Sequence, residues 1–220
     1  MPAISLKCVG KGYRRLAHRF PAIQGFSLLV ESGECVGLVG PNGCGKTTLI
    51  LLLLGFLRPN SGRLSVLGRE PGHPVSLGRI GWCPDRPIYP LSWSPREVLL
   101  DSVRLQYSGP VQPYHVCDAS LTFFGLEHIA HKPCRELSQG LRQRVSLALA
   151  FVRRPELLLL DEPFRALDVR GTELLVSLLR RSDRPPRTAI IASHRTDLLR
   201  EFCTRIVGME NGRLENDSAV

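Results

Sequence analysis

Gly40, Pro41, Asn42, Gly43, Cys44, Gly45, Lys46, Thr47 and Thr48 follow directly on the apolar run Cys35-Val36-Gly37-Leu38-Val39. Behind them comes an apolar stretch of helical length, residues 49–57. Strand, glycine-rich loop and helix in that order give the pattern G-x-x-x-x-G-K-[ST] a physical meaning. The glycines let successive backbone N–H groups turn inward on a polyphosphate, and the helix behind aims its positive dipole end at the same charge. Lys46 is the cation for the outer phosphates, and the Thr47 hydroxyl is the Mg²⁺ ligand. The stretch implies a nucleoside triphosphate site.

Around this loop the composition is that of an ordinary globule. The chain has 220 residues, 43% apolar and 22% charged, enough for one domain with a sizeable core. Residues 49–57 make up about half the length that crosses a bilayer. The amino terminus lacks the charged-then-apolar layout of a secretory signal. Seven cysteines show no C-x-x-C pair and no metal-ligand spacing with histidine, which suits a reducing cytosol. The net charge of +9 is mostly scattered arginine, with neither a dense basic run nor an aromatic platform. No nucleic-acid partner is expected from that distribution.

Residues 4–9 and 26–30 read as two strands of a small antiparallel sheet, with the basic residues 11–19 as the loop between them. Further strands are expected at 63–67, 80–83, 157–160 and 188–192. Helices are expected at 96–106, 116–126, 139–152 and 169–181. Ser94-Pro95-Arg96-Glu97 reads as a helix start. Residues 85–95 are crowded with proline and aromatics and read as loop, Gly109, Pro110 and Pro113 as breakers, and the residues from Asn216 onward as a loose tail. Strands alternating with helices predict an α/β fold with a mostly parallel sheet.

The run Leu157-Leu158-Leu159-Leu160 ends in Asp161 and Glu162. A carboxylate at the carboxyl end of a parallel strand lies where such sheets bind ligands. Asp161 is the candidate for the Mg²⁺ shell, and Glu162, one residue on, for taking a proton from water.

With these residues in view, the chain resembles the ATP-binding subunits of ATP-binding-cassette (ABC) transporters over nearly its whole length. Leu137-Ser138-Gln139-Gly140-Leu141-Arg142-Gln143-Arg144 is similar to the family signature, and Arg165-Ala166-Leu167-Asp168 to the loop after the second acid. Ser193-His194 is similar to the switch histidine, and Tyr13 to the aromatic that stacks on adenine. The resemblance implies a P-loop core with a mostly parallel sheet, a small antiparallel β-subdomain and a helical subdomain inserted at about 87–150, all within one cassette of residues 1–220. It also implies ATP and Mg²⁺ as ligands, and a head-to-tail dimer with a second ATPase subunit of the same or another kind. Ser138, Gln139 and Gly140 of one subunit would then close on the γ-phosphate held by the other. Glu162 would act as general base and His194 would hydrogen-bond the γ-phosphate.

Three departures from the family pattern bear on the site. Gln139 stands for the first signature glycine and Leu141 for glutamine, while Asp85 stands for the family's loop glutamine and enters here as a candidate Mg²⁺ ligand. The Gln139 variant resembles export-type members, so the resemblance implies an exporter working through separate transmembrane permease subunits. It places the chain in the cytoplasm, on the inner face of the cell membrane. Two other readings are kept: a soluble cassette ATPase acting on nucleic acid or ribosomes, and a regulatory nucleotide-binding module with little hydrolysis.

Overall fold

A computed structural model describes residues 2–15, 18–105, 112–180 and 187–220. In chain order the elements begin β1 (Pro2–Arg15), β2 (His18–Glu31), β3 (Cys35–Val39), α1 (Lys46–Leu53), β4 (Ser61–Val66) and α2 (Pro74–Leu77). They continue with β5 (Ile80–Cys83), α3 (Pro95–Arg104), α4 (Gln112–Phe123), α5 (Gln139–Phe151), β6 (Leu157–Asp161) and α6 (Val169–Arg180). β7 (Thr188–Ala192), α7 (Thr196–Leu199), β8 (Arg205–Glu210) and β9 (Arg213–Ala219) complete the chain. Two compact units divide it, Met1–Gly78 with Ser182–Val220, and Arg79–Arg181.

The first unit holds an antiparallel sheet ordered β2-β1-β4. β1 and β2 run further than their apolar pattern suggests, because the ladder continues through the basic residues, pairing Tyr13 with Phe20 and Arg15 with His18. Two effects hide this in the sequence. Register shifts between Leu6 and Gly12 break the two-residue alternation, with Cys8 at φ 49. In addition, among the described residues β1 pairs with β4 only as far as Gly10, so the ladder beyond it has a free edge, which carries charge readily. In the same unit β3 is flanked in parallel by β7 and β8, and β8 pairs antiparallel with β9. β3 and β7 are buried almost throughout, as strands covered on both faces are.

The expected loose tail is a strand. Gly208 pairs with Asn216 and Arg205 with Ala219, and the Gly208 N–H donates to the Asn216 side chain at 3.0 Å. β9 was hidden because its side chains are mostly exposed and poor in β-branched or aromatic residues. The reversal at Asn211-Gly212, with φ 47 and 77, is the backbone of a tight hairpin turn.

In the second unit β5 and β6 pair in parallel, Cys83 opposite Leu160. The four leucines of β6 are at most 1% exposed, each contributing roughly 1.5–3 kcal/mol by burial. α3 starts where the sequence indicated: the Ser94 hydroxyl accepts from the Glu97 N–H, and the Glu97 carboxylate accepts from the Ser94 N–H at 2.7 Å. This reciprocal cap fixes the start of the helix. α4 begins at Gln112, four residues earlier than expected, with Pro113 in its first turn, where a missing N–H costs nothing. Gly109 and Pro110, the last residues of the helices expected to reach 106 and 181, and most of the Pro/Arg-rich stretch before β7 lie outside the described residues.

Candidate functional site

The glycine-rich loop leaves the carboxyl end of β3 and closes on itself, the Cys44 N–H donating to the Pro41 carbonyl at 3.2 Å. Gly45 has φ 113, and a Cβ there would lie 2.4 Å from the Ala22 carbonyl oxygen, so only glycine fits. Gly43, at φ 81, has nothing within 4 Å of the place a Cβ would take, which leaves an open face over the loop. Gly45 caps α1 without any side-chain acceptor, and the first turn carries no acidic residue. The first amide groups and the helix dipole together therefore present positive charge suited to phosphate.

Lys46 is 7% exposed, and its ammonium donates to the Gly40 carbonyl at 2.7 Å and the Pro41 carbonyl at 3.2 Å. The cation is thus folded over the mouth of its own loop. Thr47 and the loop residues Pro41, Asn42 and Gly43 are exposed, whereas Cys44 is buried. The Tyr13 hydroxyl lies 3.3 Å from the Thr48 hydroxyl, its ring 41% exposed, with the Lys11 ammonium 5.9 Å from the ring centre. An open aromatic face tied to the phosphate-loop helix is suited to stacking a base. His194 leaves β7 at the same end of the sheet. Leu38 pairs with Ala192, and the Ser193 N–H donates to the Leu38 carbonyl at 3.1 Å.

The β8–β9 turn supports this loop, which the sequence reading did not foresee. The Gly212 N–H donates to the Cys44 carbonyl at 2.9 Å, and the Gln24 N–H donates to the Gly212 carbonyl at 2.8 Å. At Gly40 a Cβ would lie 2.1 Å from the Met209 carbonyl oxygen. The dipeptide Asn211-Gly212, a strong hairpin signal, is the mark in the sequence that points to it.

In the second unit Asp161, 3% exposed, ends β6, and Glu162 follows, half-buried, at φ 48. Burial, reinforced by the negative charge of Asp161, pushes the Cys83 thiol far up, so this sulfur stays protonated beside the carboxylate. The Gln143 amide, buried, donates to the Pro163 carbonyl at 3.2 Å and to Cys83 Sγ at 3.5 Å. Arg144 binds the Asp168 carboxylate, which also accepts the Gly171 N–H at 2.8 Å. The Arg144 guanidinium first, and that N–H second, hold Asp168 below the usual carboxylate range. Ser138 caps α5, its hydroxyl accepting from the Leu141 N–H at 3.2 Å, and Ser138 and Gln139 stand exposed. Gly140 is set by a close approach, since a Cβ there would lie 2.5 Å from the Ala166 carbonyl oxygen. Asp85, two residues past β5, has both carboxylate oxygens bound by Arg165.

The first unit therefore gathers Tyr13, residues 40–48 and His194, while the second gathers Asp85, residues 138–140, Asp161 and Glu162. Mg²⁺ takes one or two carboxylates alongside phosphate oxygens and waters, and Asp161, buried at a strand end, fits that demand.

A buried strand, an uncapped helix start and a lysine over a glycine loop define a phosphate-binding α/β protein. The family model for the ABC transporter matches residues 23–165. The energy-coupling factor transporter ATP-binding protein EcfA2 of Methanospirillum hungatei is 34% identical over 97% of this chain and 54% of its own length. The Nod factor export ATP-binding protein I of Rhizobium sp. is 35% identical over 87% of this chain and 64% of its own length. The chain belongs to the ABC transporter family. It spans about half to two thirds of the length of those two relatives. Among solved structures, a dimeric bacterial ABC transporter cassette superposes with a TM-score of 0.90 at 24% identity, covering 98% of both chains. The cbiO1 subunit from Clostridium perfringens gives 0.78 at 26% identity, covering 99% of this chain and 88% of its own.

Proposed function

We propose that this chain binds ATP with Mg²⁺ and hydrolyses it, as the ATPase subunit that powers a membrane transporter through separate membrane-spanning subunits. The observation that carries the reading is the uncapped start of α1 behind an open glycine loop, with Lys46 lying across its mouth. Lys46 leaves the carbonyls of Gly40 and Pro41 for the outer phosphates, the backbone amides of residues 42–48 cradle them, and Tyr13 stacks on the adenine. Thr47 in the first unit and Asp161 in the second each offer an oxygen suited to Mg²⁺, which when bound would neutralise phosphate charge. Glu162 takes the proton of the attacking water, and His194 donates to the γ-phosphate. The exposed start of α5, at Ser138, Gln139 and Gly140, closes on the γ-phosphate held by a second ATPase subunit.

Among the described residues, no helix is long and apolar enough to cross a membrane. The names of the relatives, ATP-binding proteins of a transporter and of an export system, support a transporter's ATP-binding subunit, which we place on the cytoplasmic face beside its membrane-spanning partners. The direction we propose is export, since of the relatives named above the one whose name states a direction is the Nod factor export protein.

Two substitutions test the division of labour. Lys46→Ala deletes the cation of the loop and is expected to abolish ATP binding by the isolated chain. Ser138→Arg is expected to leave that affinity within about twofold while stopping hydrolysis, because its effect falls on the closed dimer. Measured by nucleotide-fluorescence titration beside phosphate release, the two look alike in turnover and different in binding. Equal loss of binding in both would overturn the two-subunit site.

A further inference from the structure

We propose that Arg165 is a positioning residue for Glu162 and that Asp85 serves as its anchor, not as a ligand of the metal ion. The inference rests on the reading of Glu162 as the group that activates water. The chain leaving β5 runs through Pro84 to Asp85, and the chain leaving β6 runs from Asp161 through Glu162, Pro163 and Phe164 to Arg165. β5 and β6 lie side by side in register, so both segments emerge at the same end of this strand pair. One guanidinium nitrogen, Arg165 Nη1, donates to both Asp85 oxygens, at 2.6 and 2.9 Å. The Arg165 N–H donates back to the Glu162 carbonyl at 3.0 Å, so the guanidinium and Glu162 belong to one closed turn.

That turn is not the conformation its residues prefer. Glu162 sits at φ 48 and Ala166 at φ 61, left-handed backbone that persists for such residues only where the surroundings hold it. Gln143 holds the turn at the Pro163 carbonyl, and the close packing of Gly140 holds it at Ala166. The Arg165–Asp85 pair ties the same turn to the segment after β5, through the residue whose backbone closes on Glu162. The Arg165 guanidinium is held charged by Asp85 first, with the Glu162 carboxylate contributing in the same sense. The cation therefore stands within electrostatic reach of the group it positions.

The same contact commits the Asp85 carboxylate to Arg165. Each Asp85 oxygen accepts one hydrogen bond from Arg165, which orients the carboxylate toward the turn and makes the guanidinium, already in place, the competitor of any ion for the lone pair each oxygen keeps. The pair is half-exposed, with side chains 48% and 32% accessible, so its contribution to stability is small and its role is geometric. Geometry of this kind matters for rate, since a displacement of about 1 Å at a reacting group costs up to about a hundredfold.

The test is a double-substitution cycle in the full chain. Arg165→Ala and Asp85→Ala are each expected to lower kcat by about tenfold, with the ATP KM within about twofold. The double variant is expected to be no slower than either single one, and exchange of the two charges (D85R with R165D) to restore most of the rate. Thermal melting within a few degrees of the parent shows that the variants fold. Mn²⁺ binding, followed by electron paramagnetic resonance with a non-hydrolysable ATP analogue, gives a readout independent of turnover. Unchanged Mn²⁺ affinity in Asp85→Ala supports the anchor. A tenfold weaker Mn²⁺ affinity in Asp85→Ala alone, additive rate losses in the cycle, or no rescue on charge exchange would each overturn it. Failure of the underlying reading looks different, since the Glu162→Gln variant would then turn over at the parental rate whatever the cycle showed.

Discussion

The phosphate loop at 40–48 and the acidic turn at 161–168 both follow the carboxyl end of a buried strand, yet they are held in opposite ways. Backbone holds the loop: glycines at positive φ, carbonyls of Ala22 and Met209 pressed against it, and the Gly212 amide on Cys44. Side chains hold the turn: Gln143 on Pro163, Arg165 on Asp85 and Arg144 on Asp168. A backbone frame admits no added atoms where a carbonyl faces the glycine, as at Gly40 and Gly45. A side-chain frame accepts added bulk at its exposed positions and fails when a partner is removed.

The largest expected effect tests the backbone frame. Gly45→Val sets a branched side chain at φ 113 against the Ala22 carbonyl, an arrangement that L-residues strongly disfavour. ATP binding should be lost and the melting temperature should fall, read together by nucleotide titration and calorimetry. Parental affinity in this variant would mean that the loop is not held as described. A middle-sized effect tests the side-chain frame. Gln143→Ala leaves the buried Pro163 carbonyl without its partner, at about 1–3 kcal/mol. It is expected to slow hydrolysis while sparing ATP affinity, and a loss of affinity equal to that of Gly45→Val would erase the contrast between the two frames.

This difference explains what was legible in the sequence. Residues 40–48 could be read because a backbone frame concentrates its requirements in adjacent glycines, and because strand and helix lie on either side. The strands Cys35–Val39 and Thr188–Ala192 were equally plain, since burial makes their apolar runs nearly continuous. The frame of the turn was not legible, because Asp85 and Arg165 lie 80 residues apart and nothing local in either pairs them. Nor was the hairpin β8–β9 beneath the loop, whose outer strand shows hydrophilic side chains. Its turn, Asn211-Gly212, was written in the chain but went unread among the polar residues around it.

The smallest effect concerns acid. Hydrogen bonds from the Ser94 backbone and hydroxyl hold Glu97 low, the Arg79 guanidinium does the same for Glu156, and Arg144 followed by the Gly171 amide for Asp168. Each folded-state pKa lies below its unfolded value, so each contribution is complete above the unfolded value of about 4 and is lost as pH falls through the folded one. The melting temperature should be nearly level from pH 7 to 5 and decline below about pH 4, with a slightly shallower decline in Arg144→Ala. All three carboxylates are accessible to solvent, which keeps the effect modest. An identical acid profile in Arg144→Ala would show that this tie on the acidic turn carries no weight.

Glu162→Gln offers the most direct test of the assigned chemistry. The substitution keeps the size of the side chain and its place after Asp161 while removing its capacity to take a proton. Single-turnover hydrolysis of radiolabelled ATP, measured beside equilibrium binding, is expected to slow by about a hundredfold or more with ATP affinity unchanged. Hydrolysis at the parental rate would contradict the account and take Glu162 out of the reaction.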